Sequence, residues 1–596
     1  MKQYPLFTFC AMHGMLWSVF SLLFFAVNGF FTDFLGILFT GVFIVGHIFL
    51  LAWLLYILCW PWKFASRRVF SVACVGIAGF LTALLAVDLL VFSQYRFHIG
   101  LFMLGLFFGP AGREIFVFPV SMWLLCGLIF LFIVLLEIGL WILAKKIAVT
   151  KKWLISILAV WGICFLAYNG LYAWGKFMLV PSIMAQRKVL PMSFPLSANR
   201  RLEAWGFQAP QKPYSLPRWG KLNYPISPLS CPTENQHKNI LIILIDSWRA
   251  DTFTDQVMPL LSSWAHKQNM HQFTNHLSGG NSTGSGVFSL FYSLPFSYWE
   301  EVTGLQLPPV LLSQAWAQDY EPAIFASSKL TSPAFYRNVF VSVPDLRMDS
   351  KGNTSWERDE NAVQDFEKFL SSRKGDKPFF GFIFLDAPHG YSYPEQDKIF
   401  TPAQPPNYIL LNNKTDPTPY FNQYKNAVHF ADRMVNDVLS TLTAKGLLEN
   451  TYIIITADHG QELNDSHRNF WGHNSNLTDW QTKVPLLVYD GKAGAVLHDY
   501  RTTHYDIVPT LLQEVFHCTN APGDYAMGYN LFDPTPRKFS LFSGHTEKAV
   551  RVGDDIIVLD NFGGMAQYTN RYEPVSQPID SSLIEEGLQS YRRFYK

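Results

Sequence analysis

Five long stretches without a single Asp, Glu, Lys or Arg occupy residues 3–32, 34–62, 69–87, 115–136 and 153–175. Each is near or above the roughly 18–20 apolar residues that a helix needs to cross a bilayer. A signal peptide is one short apolar region with a cleavage site, so a series of such blocks excludes that reading. The stretches predict five spanning helices over residues 1–180. Basic residues in short connections set the orientation of such a bundle. Lys2 precedes the first block; Lys63, Arg67 and Arg68 follow the second; Lys145, Lys146, Lys151 and Lys152 separate the fourth from the fifth. The other two connections carry only Arg96 and Arg113. The asymmetry predicts a cytoplasmic N-terminus and, after five crossings, an exported remainder.

Two carboxylates, Asp88 and Glu137, interrupt the third and fourth spans. Charge at membrane depth is costly and marks function by default; the structural alternative is that each lies at a span end or is neutralised inside the bundle. His13 and His47 read as satisfied bundle residues rather than metal ligands. Cys10, Cys59, Cys74, Cys126 and Cys164 fall in the spans, where a thiol acts as a small apolar group. Cys231 and Cys518 alone lie in the exported part; they can pair in an oxidising compartment, but no framework spacing demands it. The whole chain has a net charge of +1, so no global field draws it to nucleic acid.

Residues 181–237 are Pro-rich and polar and read as a linker or collar. Within it the run from Ser197 to Trp205 predicts one short helix, whose Arg200, Arg201 and Trp205 suit a membrane surface with anionic head groups. From residue 238 apolar runs alternate with helical patterns. Strands are expected at 240–245, 322–326, 379–385, 452–456 and 484–489. A helix is expected where Tyr424, Val428, Ala431, Val435, Val438 and Leu442 recur at three- and four-residue spacing, stopped by Gly446. Such alternation predicts an α/β domain over 238–545, a mostly parallel sheet with helices on both faces. In the remaining segment, 546–596, two short runs split by Gly553, Asp554 and Asp555 predict a hairpin in a small antiparallel appendage.

Chemistry gathers at the strand ends of the α/β domain. Asp246 closes the apolar run Ile240–Ile245, and Asp458 with His459 closes the run Tyr452–Ala457. Thr283 lies in the Gly-rich stretch 279–286, and His473 follows Trp471 and Gly472. Strand ends of parallel sheets are where α/β enzymes place their chemistry. Asp246, Asp458, His459 and the Thr283 hydroxyl make a set of metal ligands. A mix of carboxylate and imidazole suits one divalent ion, Zn²⁺ or Mn²⁺ ahead of Mg²⁺ or Ca²⁺. A hydroxyl beside such an ion is acidified, which makes Thr283 the expected nucleophile. The segment after Thr283 can start a helix, whose positive end favours a phosphate or sulfate ester. His389 and His473 are placed to bind ester oxygens or to protonate a leaving group. Alone, each of these residues has an ordinary structural reading; their order along the chain is what points to a site.

That order resembles the alkaline phosphatase and sulfatase superfamily over about residues 238–545. The first motif is Asp246-Ser247-Trp248-Arg249-Ala250-Asp251, the late one Ala457-Asp458-His459-Gly460, and a third runs from His504 through Asp506 and Pro509 to Leu511. Counting back seven residues from Leu290, as the resemblance directs, lands on Thr283. Sulfatases carry Cys or Ser in a Cys-Xaa-Pro-Xaa-Arg motif; this chain has Thr283 and lacks the Arg. A Thr nucleophile is similar to lipoteichoic acid synthases and lipid A phosphoethanolamine transferases, which also join five spans to an exported catalytic domain but use Glu where this chain has Asp246. Over nearly its full length the chain resembles a family of Gram-negative inner-membrane proteins. That resemblance implies inner-membrane localisation, contact of the collar with lipid A or lipopolysaccharide, and control of lipopolysaccharide synthesis through a membrane partner protein. Arg200 falls on a basic collar position, with Asn199 at its basic neighbour's place. Enterobacterial members of that family lack the pair kept here as Asp458-His459. Two readings follow: a metal-dependent phosphatase or phosphotransferase, and a lipopolysaccharide-sensing regulator whose sulfatase-like domain is a scaffold.

Overall fold

A computed structural model of the protein describes residues 4–28, 33–95, 98–100, 120–147, 149–178, 180–196, 198–207, 221–232, 238–268, 270–373, 375–408, 410–492, 496–544, 547–560, 565–575 and 581–596. The chain forms two compact units, Met1–Lys212 with Gly564–Ala566, and Pro213–Gly563 with Gln567–Lys596.

The first unit holds five helices long and apolar enough to cross a membrane: α1 (Pro5–Asn28), α2 (Phe34–Cys59), α3 (Arg67–Tyr95), α4 (Val120–Lys146) and α5 (Lys151–Phe177). Their outer surface is apolar; α4 exposes Trp123, Leu124, Leu128, Phe130, Leu131 and Phe132. An isolated soluble bundle does not present such a surface, whereas a lipid-facing one does. Packing between α2 and α5 depends on a small residue. A Cβ on Gly46 would come within 2.8 Å of the Cys164 backbone, and the Trp161 indole donates to the Gly46 carbonyl at 3.1 Å.

Asp88 and Glu137 interrupt the charge-free blocks but not the helices, because each has partners. Glu137 is fully buried and accepts hydrogen bonds from Thr82 at 2.9 Å and His13 Nε2 at 2.7 Å, across α3 and α1. Asp88 accepts from His98 Nδ1 and the Ile99 amide, both at 2.7 Å, where the chain leaves α3. His47 bonds the Pro191 carbonyl at 2.8 Å. Farther on, α6 (Asn199–Ala204) is the short collar helix.

The second unit is built on a seven-stranded sheet. Its strands are β1 (Asn239–Ile245), β2 (His271–Phe273), β3 (Glu321–Ala326), β4 (Phe379–Leu385), β5 (Thr451–Thr456), β6 (Leu486–Tyr489) and β7 (Leu497–His498). The spatial order is β7-β2-β6-β5-β1-β4-β3. Strands β3, β4, β1 and β5 are parallel, while β6 runs against β5 and β2 against β6. Strands β1, β4 and β5 are buried along their whole length, which explains their unbroken apolar sequences. Successive side chains alternate between two cores. Ile240, Ile242 and Leu244 pack with α7 (Thr283–Tyr292) on one face; Leu241, Ile243 and Ile245 pack with α8 (Thr418–Ala444) on the other. The helix expected from Tyr424 to Leu442 is α8, and Gly446 past its end takes φ +67°.

Two boundaries differ from the sequence reading. Residues 221–232 belong to the globular unit: the Tyr224 hydroxyl donates to the Tyr292 carbonyl at 2.7 Å, Lys221 and Lys596 exchange backbone hydrogen bonds at 2.9 Å, and Cys231 is disulfide-bonded to Cys518. The antiparallel appendage starts earlier than expected, at Ser540–Ser543, which pairs with Glu547–Val552 and through it with Asp555–Asp560.

Removing one partner of a buried hydrogen bond leaves the other polar group unsatisfied, at a typical cost of about 1–3 kcal/mol. Glu137→Ala, which strands both His13 and Thr82, is therefore expected to destabilise the membrane unit by about 1–3 kcal/mol, and the double change His13→Leu with Glu137→Leu by less. Thermal unfolding of the detergent-solubilised protein checks this; equal stability of the single variant and wild type would remove the pair as a structural lock.

Candidate metal and nucleophile site

Parallel strands in register end together. Ile245 lies beside Leu385, and Leu244 beside Thr456. The residues that follow, Asp246, Asp386 and Asp458, therefore emerge at one edge of the sheet. All are buried, so carboxylates accumulate where water cannot screen them.

The backbone at these ends is tightly organised. Ser247 takes φ +61°; its amide donates to Asp458 Oδ1 at 3.0 Å and its hydroxyl to Asp246 Oδ1 at 2.7 Å. Arg249 is almost fully buried and braces the loop after β1 against the loop after β5. Its guanidinium contacts Asp251 and Asp465 at 2.7–3.0 Å and the Gln461 carbonyl at 3.0 Å, and it stacks on Phe421 and Trp480. These contacts give Arg249 and Asp251 of the first motif a mechanical role.

Thr283 is the first residue of α7. Ser282 caps the helix in a reciprocal arrangement with Ser285. The helix comes very close to the late motif, because a Cβ on Gly286 would lie 2.1 Å from the Asp458 carbonyl oxygen. Only glycine permits that approach. It places Thr283 Oγ1 3.4 Å from both Asp246 Oδ2 and His459 Nε2.

One ligand atom from each of Asp246, Asp458 and His459 lies within 4.8 Å of the others, and the same holds for Asp246, Asp386 and His389. Two observations test whether the first group fits a cation. Asp458 Oδ2 is buried and has no hydrogen-bond partner among the described residues, a costly state for a carboxylate oxygen. His459 Nδ1 lies 2.8 Å from the Gly460 carbonyl; a carbonyl can only accept, so the proton is on Nδ1 and Nε2 offers a lone pair. The donor set fits a divalent metal.

His389 and His473 stand at the half-buried mouth of the site. The His473 ring centroid lies 4.3 Å from that of His459 and 5.2 Å from that of His389. His473 Nδ1 meets Gln461 Oε1 at 2.9 Å, and Gln461 in turn donates to the Tyr391 hydroxyl at 2.8 Å. Burial, reinforced by the neighbouring Asp458, pushes the Asp246 carboxyl up to about 7. Burial also pushes Asp458 up to about 7 and lowers His459. Burial lowers His473 well below the usual imidazole range, with the charges of His459 and His389 adding to it. Burial opposes charge on His389 too, but Asp246, Asp386 and Asp458 outweigh it and raise that imidazole. The pocket is short of positive charge.

The structure thus brings together Asp246, Thr283, Asp458, His459, His389 and His473. Arg200 and Arg201 lie in α6; Arg201 is exposed, and the Arg200 side chain falls outside the described residues. Sequence reasoning missed Asp386, although it ends an apolar run as Asp246 does. It also missed the bracing by Arg249 and Gln461.

A sulfatase family model matches residues 238–515, and a model for a domain of unknown function (DUF3413) matches residues 6–231. An uncharacterized protein of Haemophilus influenzae is 27% identical over 585 residues, covering 94% of this chain and 86% of its own. The inner membrane protein YejM of Salmonella typhimurium is 26% identical over 580 residues, covering 94% of this chain and 92% of its own. In fold, the chain is similar to the integral membrane lipooligosaccharide phosphoethanolamine transferase A of Neisseria meningitidis, with a TM-score of 0.54 at 17% identity over 88% of this chain and 97% of that one. The chain belongs to the alkaline phosphatase/sulfatase superfamily, and within it to the YejM-like inner-membrane proteins.

Two outcomes are expected. In metal-free protein the raised carboxyls make the folded state bind more protons than the unfolded one between pH of about 4 and about 7. Stability should fall as pH rises through that window, and Mn²⁺ or Zn²⁺ should restore it at the upper end; thermal unfolding with and without metal reads both. Gly286→Ala should weaken metal binding by at least about tenfold, since α7 must move off Asp458; dialysis followed by metal analysis checks it.

Proposed function

We propose that the protein is an inner-membrane, metal-dependent phosphatase or phosphotransferase with Thr283 as its nucleophile, its catalytic unit on the periplasmic side, and its activity linked to envelope lipid and lipopolysaccharide homeostasis. One observation carries this reading: the Thr283 hydroxyl stands 3.4 Å from both Asp246 and His459 at the first turn of a buried helix. Asp246, Asp458, His459 and the Thr283 oxygen would hold one divalent ion, and the mixed oxygen and nitrogen donors favour Zn²⁺ or Mn²⁺ over Mg²⁺ or Ca²⁺. When bound, that ion supplies positive charge that acidifies a neighbouring hydroxyl and neutralises a phosphoryl group.

The chain's own groups perform the rest. The positive end of α7 faces an incoming phosphate ester. Thr283 Oγ1 attacks phosphorus as its proton leaves toward Asp246 Oδ2. The phosphorus–oxygen bond to the leaving group breaks, and His389, whose neighbouring carboxylates favour its protonated form, returns a proton to the departing oxygen. The resulting phosphothreonine is attacked by water or by an acceptor hydroxyl, which regenerates Thr283. A periplasmic position agrees with the basic residues between spans and with the Cys231–Cys518 disulfide.

A second reading, a lipopolysaccharide-sensing regulator acting through an inner-membrane partner protein, is favoured by the collar. Met192, Phe194, Leu196 and Trp205 are 65–71% exposed, beside the basic helix α6, an arrangement that suits insertion at a lipid surface bearing anionic head groups such as lipid A.

Thr283→Ala is expected to lower hydrolysis of bis(p-nitrophenyl) phosphate at least about a hundredfold. Wild-type rates in that variant would overturn the nucleophile assignment. If its envelope lipopolysaccharide level stays normal while hydrolysis is lost, catalysis does not drive the regulation. Arg200→Glu with Arg201→Glu should weaken binding to lipid A vesicles; unchanged binding would count against the collar as the contact.

A further inference from the structure

We propose that His271 and His498 form a separate binding site for a late first-row transition ion, Zn²⁺, Ni²⁺ or Cu²⁺, at the far edge of the central sheet from β3. The two residues sit on neighbouring strands: β7 is the edge strand, and it pairs with β2 in parallel, His498 beside Phe273. His271 Nδ1 and His498 Nε2 approach to 3.1 Å. Two nitrogens bound about 2.0–2.1 Å from one ion, at angles between square and tetrahedral, stand about 2.9–3.4 Å apart. The observed spacing lies inside that range, so a small rotation of the rings turns both lone pairs onto one ion.

Proton bookkeeping shows that His498 is prepared for it. The Tyr500 hydroxyl lies 2.8 Å from the Leu531 carbonyl and gives its single proton there. At 3.1 Å from His498 Nδ1 it can therefore only accept. Nδ1 carries the proton, and Nε2 presents a lone pair toward His271. A ligating histidine whose other nitrogen donates to a fixed acceptor is the arrangement that holds metals best. Ligation through His271 Nδ1 shifts that ring's proton to its Nε2, and what the ion displaces is one neutral hydrogen bond between imidazoles.

The rings are held in place by aromatic neighbours. Phe273 stacks on His498 at 4.4 Å and 12°, and Phe532 meets the His271 ring edge-on at 4.9 Å. Both imidazoles are half-buried, which leaves room for water to complete the coordination. The charged groups acting on the pair are Asp490 and Lys492 toward His271 and Asp499 toward His498. Two imidazoles, with no carboxylate bonded to either among the described residues, select the late transition ions over Mg²⁺ or Ca²⁺. An ion here would clip the two-residue strand β7 to the sheet through side chains, where backbone pairing is short.

The test uses full-length protein in detergent, stripped with chelator and titrated with Zn²⁺ by equilibrium dialysis and metal analysis. Wild type should take up two equivalents. The variant His271→Gln with His498→Gln should take up one, and the variant Asp458→Asn with His459→Gln should take up one by losing the other. The single changes His271→Gln and His498→Gln give the same reading if the double variant proves unstable. Cu²⁺ bound to the Asp458→Asn, His459→Gln protein should show coupling to two nitrogens by electron paramagnetic resonance. Wild-type stoichiometry in the histidine variants, or a single equivalent in wild type that vanishes with Asp458, would overturn the proposal. The first result would leave the carboxylate site untouched, and the second would leave only that site.

Discussion

Everything at the candidate site depends on the in-register ending of three parallel strands. Because β4, β1 and β5 finish at one level, Asp386, Asp246 and Asp458 meet at one buried edge. Packing carboxylates together out of water is unfavourable unless protons or a cation compensate. The raised Asp246 and Asp458 carboxyls and the raised His389 imidazole are three expressions of that same deficit. The central sheet is therefore both the scaffold and the cause of the site's chemistry. Its apolar strands give the fold its stability, and their shared terminus concentrates charge.

The second constraint is distance. Helix α7 must approach the late motif until its backbone nearly touches the Asp458 carbonyl, and Gly286 is the residue that allows it. The Gly-rich stretch is usually read as a flexible loop. Here it is a close-packed passage, with Gly279, Gly280 and Gly286 each too near a neighbour for a Cβ. Arg249 completes the frame by tying the loops after β1 and β5 together through Asp465 and the Gln461 carbonyl. Nucleophile, ligands and brace come from three distant parts of the sequence and are fixed by backbone contact rather than by the ion they would hold.

The sequence made some of this legible and concealed the rest for physical reasons. Strands β1, β4 and β5 were visible because a strand buried on both faces is apolar throughout. Strands β2 and β7, of three and two residues, are too short to show any period, and the His271–His498 pair was hidden with them. The five spans were visible as charge-free blocks. Their true lengths were not, since Asp88 and Glu137 lie inside helices and are tolerated through His98, the Ile99 amide, His13 and Thr82, partners that composition alone does not reveal. Asp246, Asp458 and His459 stood out as polar residues closing apolar runs. Asp386 has the same signature, closing the apolar run Phe379–Leu385, but its place beside Asp246 follows from strand register, which no local window contains. The Cys231–Cys518 bond spans a separation of 287 residues, and spacing alone carries no signal for it.

The central claim is that Thr283 and the Asp246, Asp458, His459 group act as one unit. The most direct measurement is to incubate the metal-loaded full-length protein with a phosphate diester, quench in acid, and examine the peptide containing Thr283 by mass spectrometry. Phosphorylated Thr283 is expected in wild type and none in Asp458→Asn. Hydrolysis that proceeds in wild type with Thr283 unmodified at every quench time would contradict it.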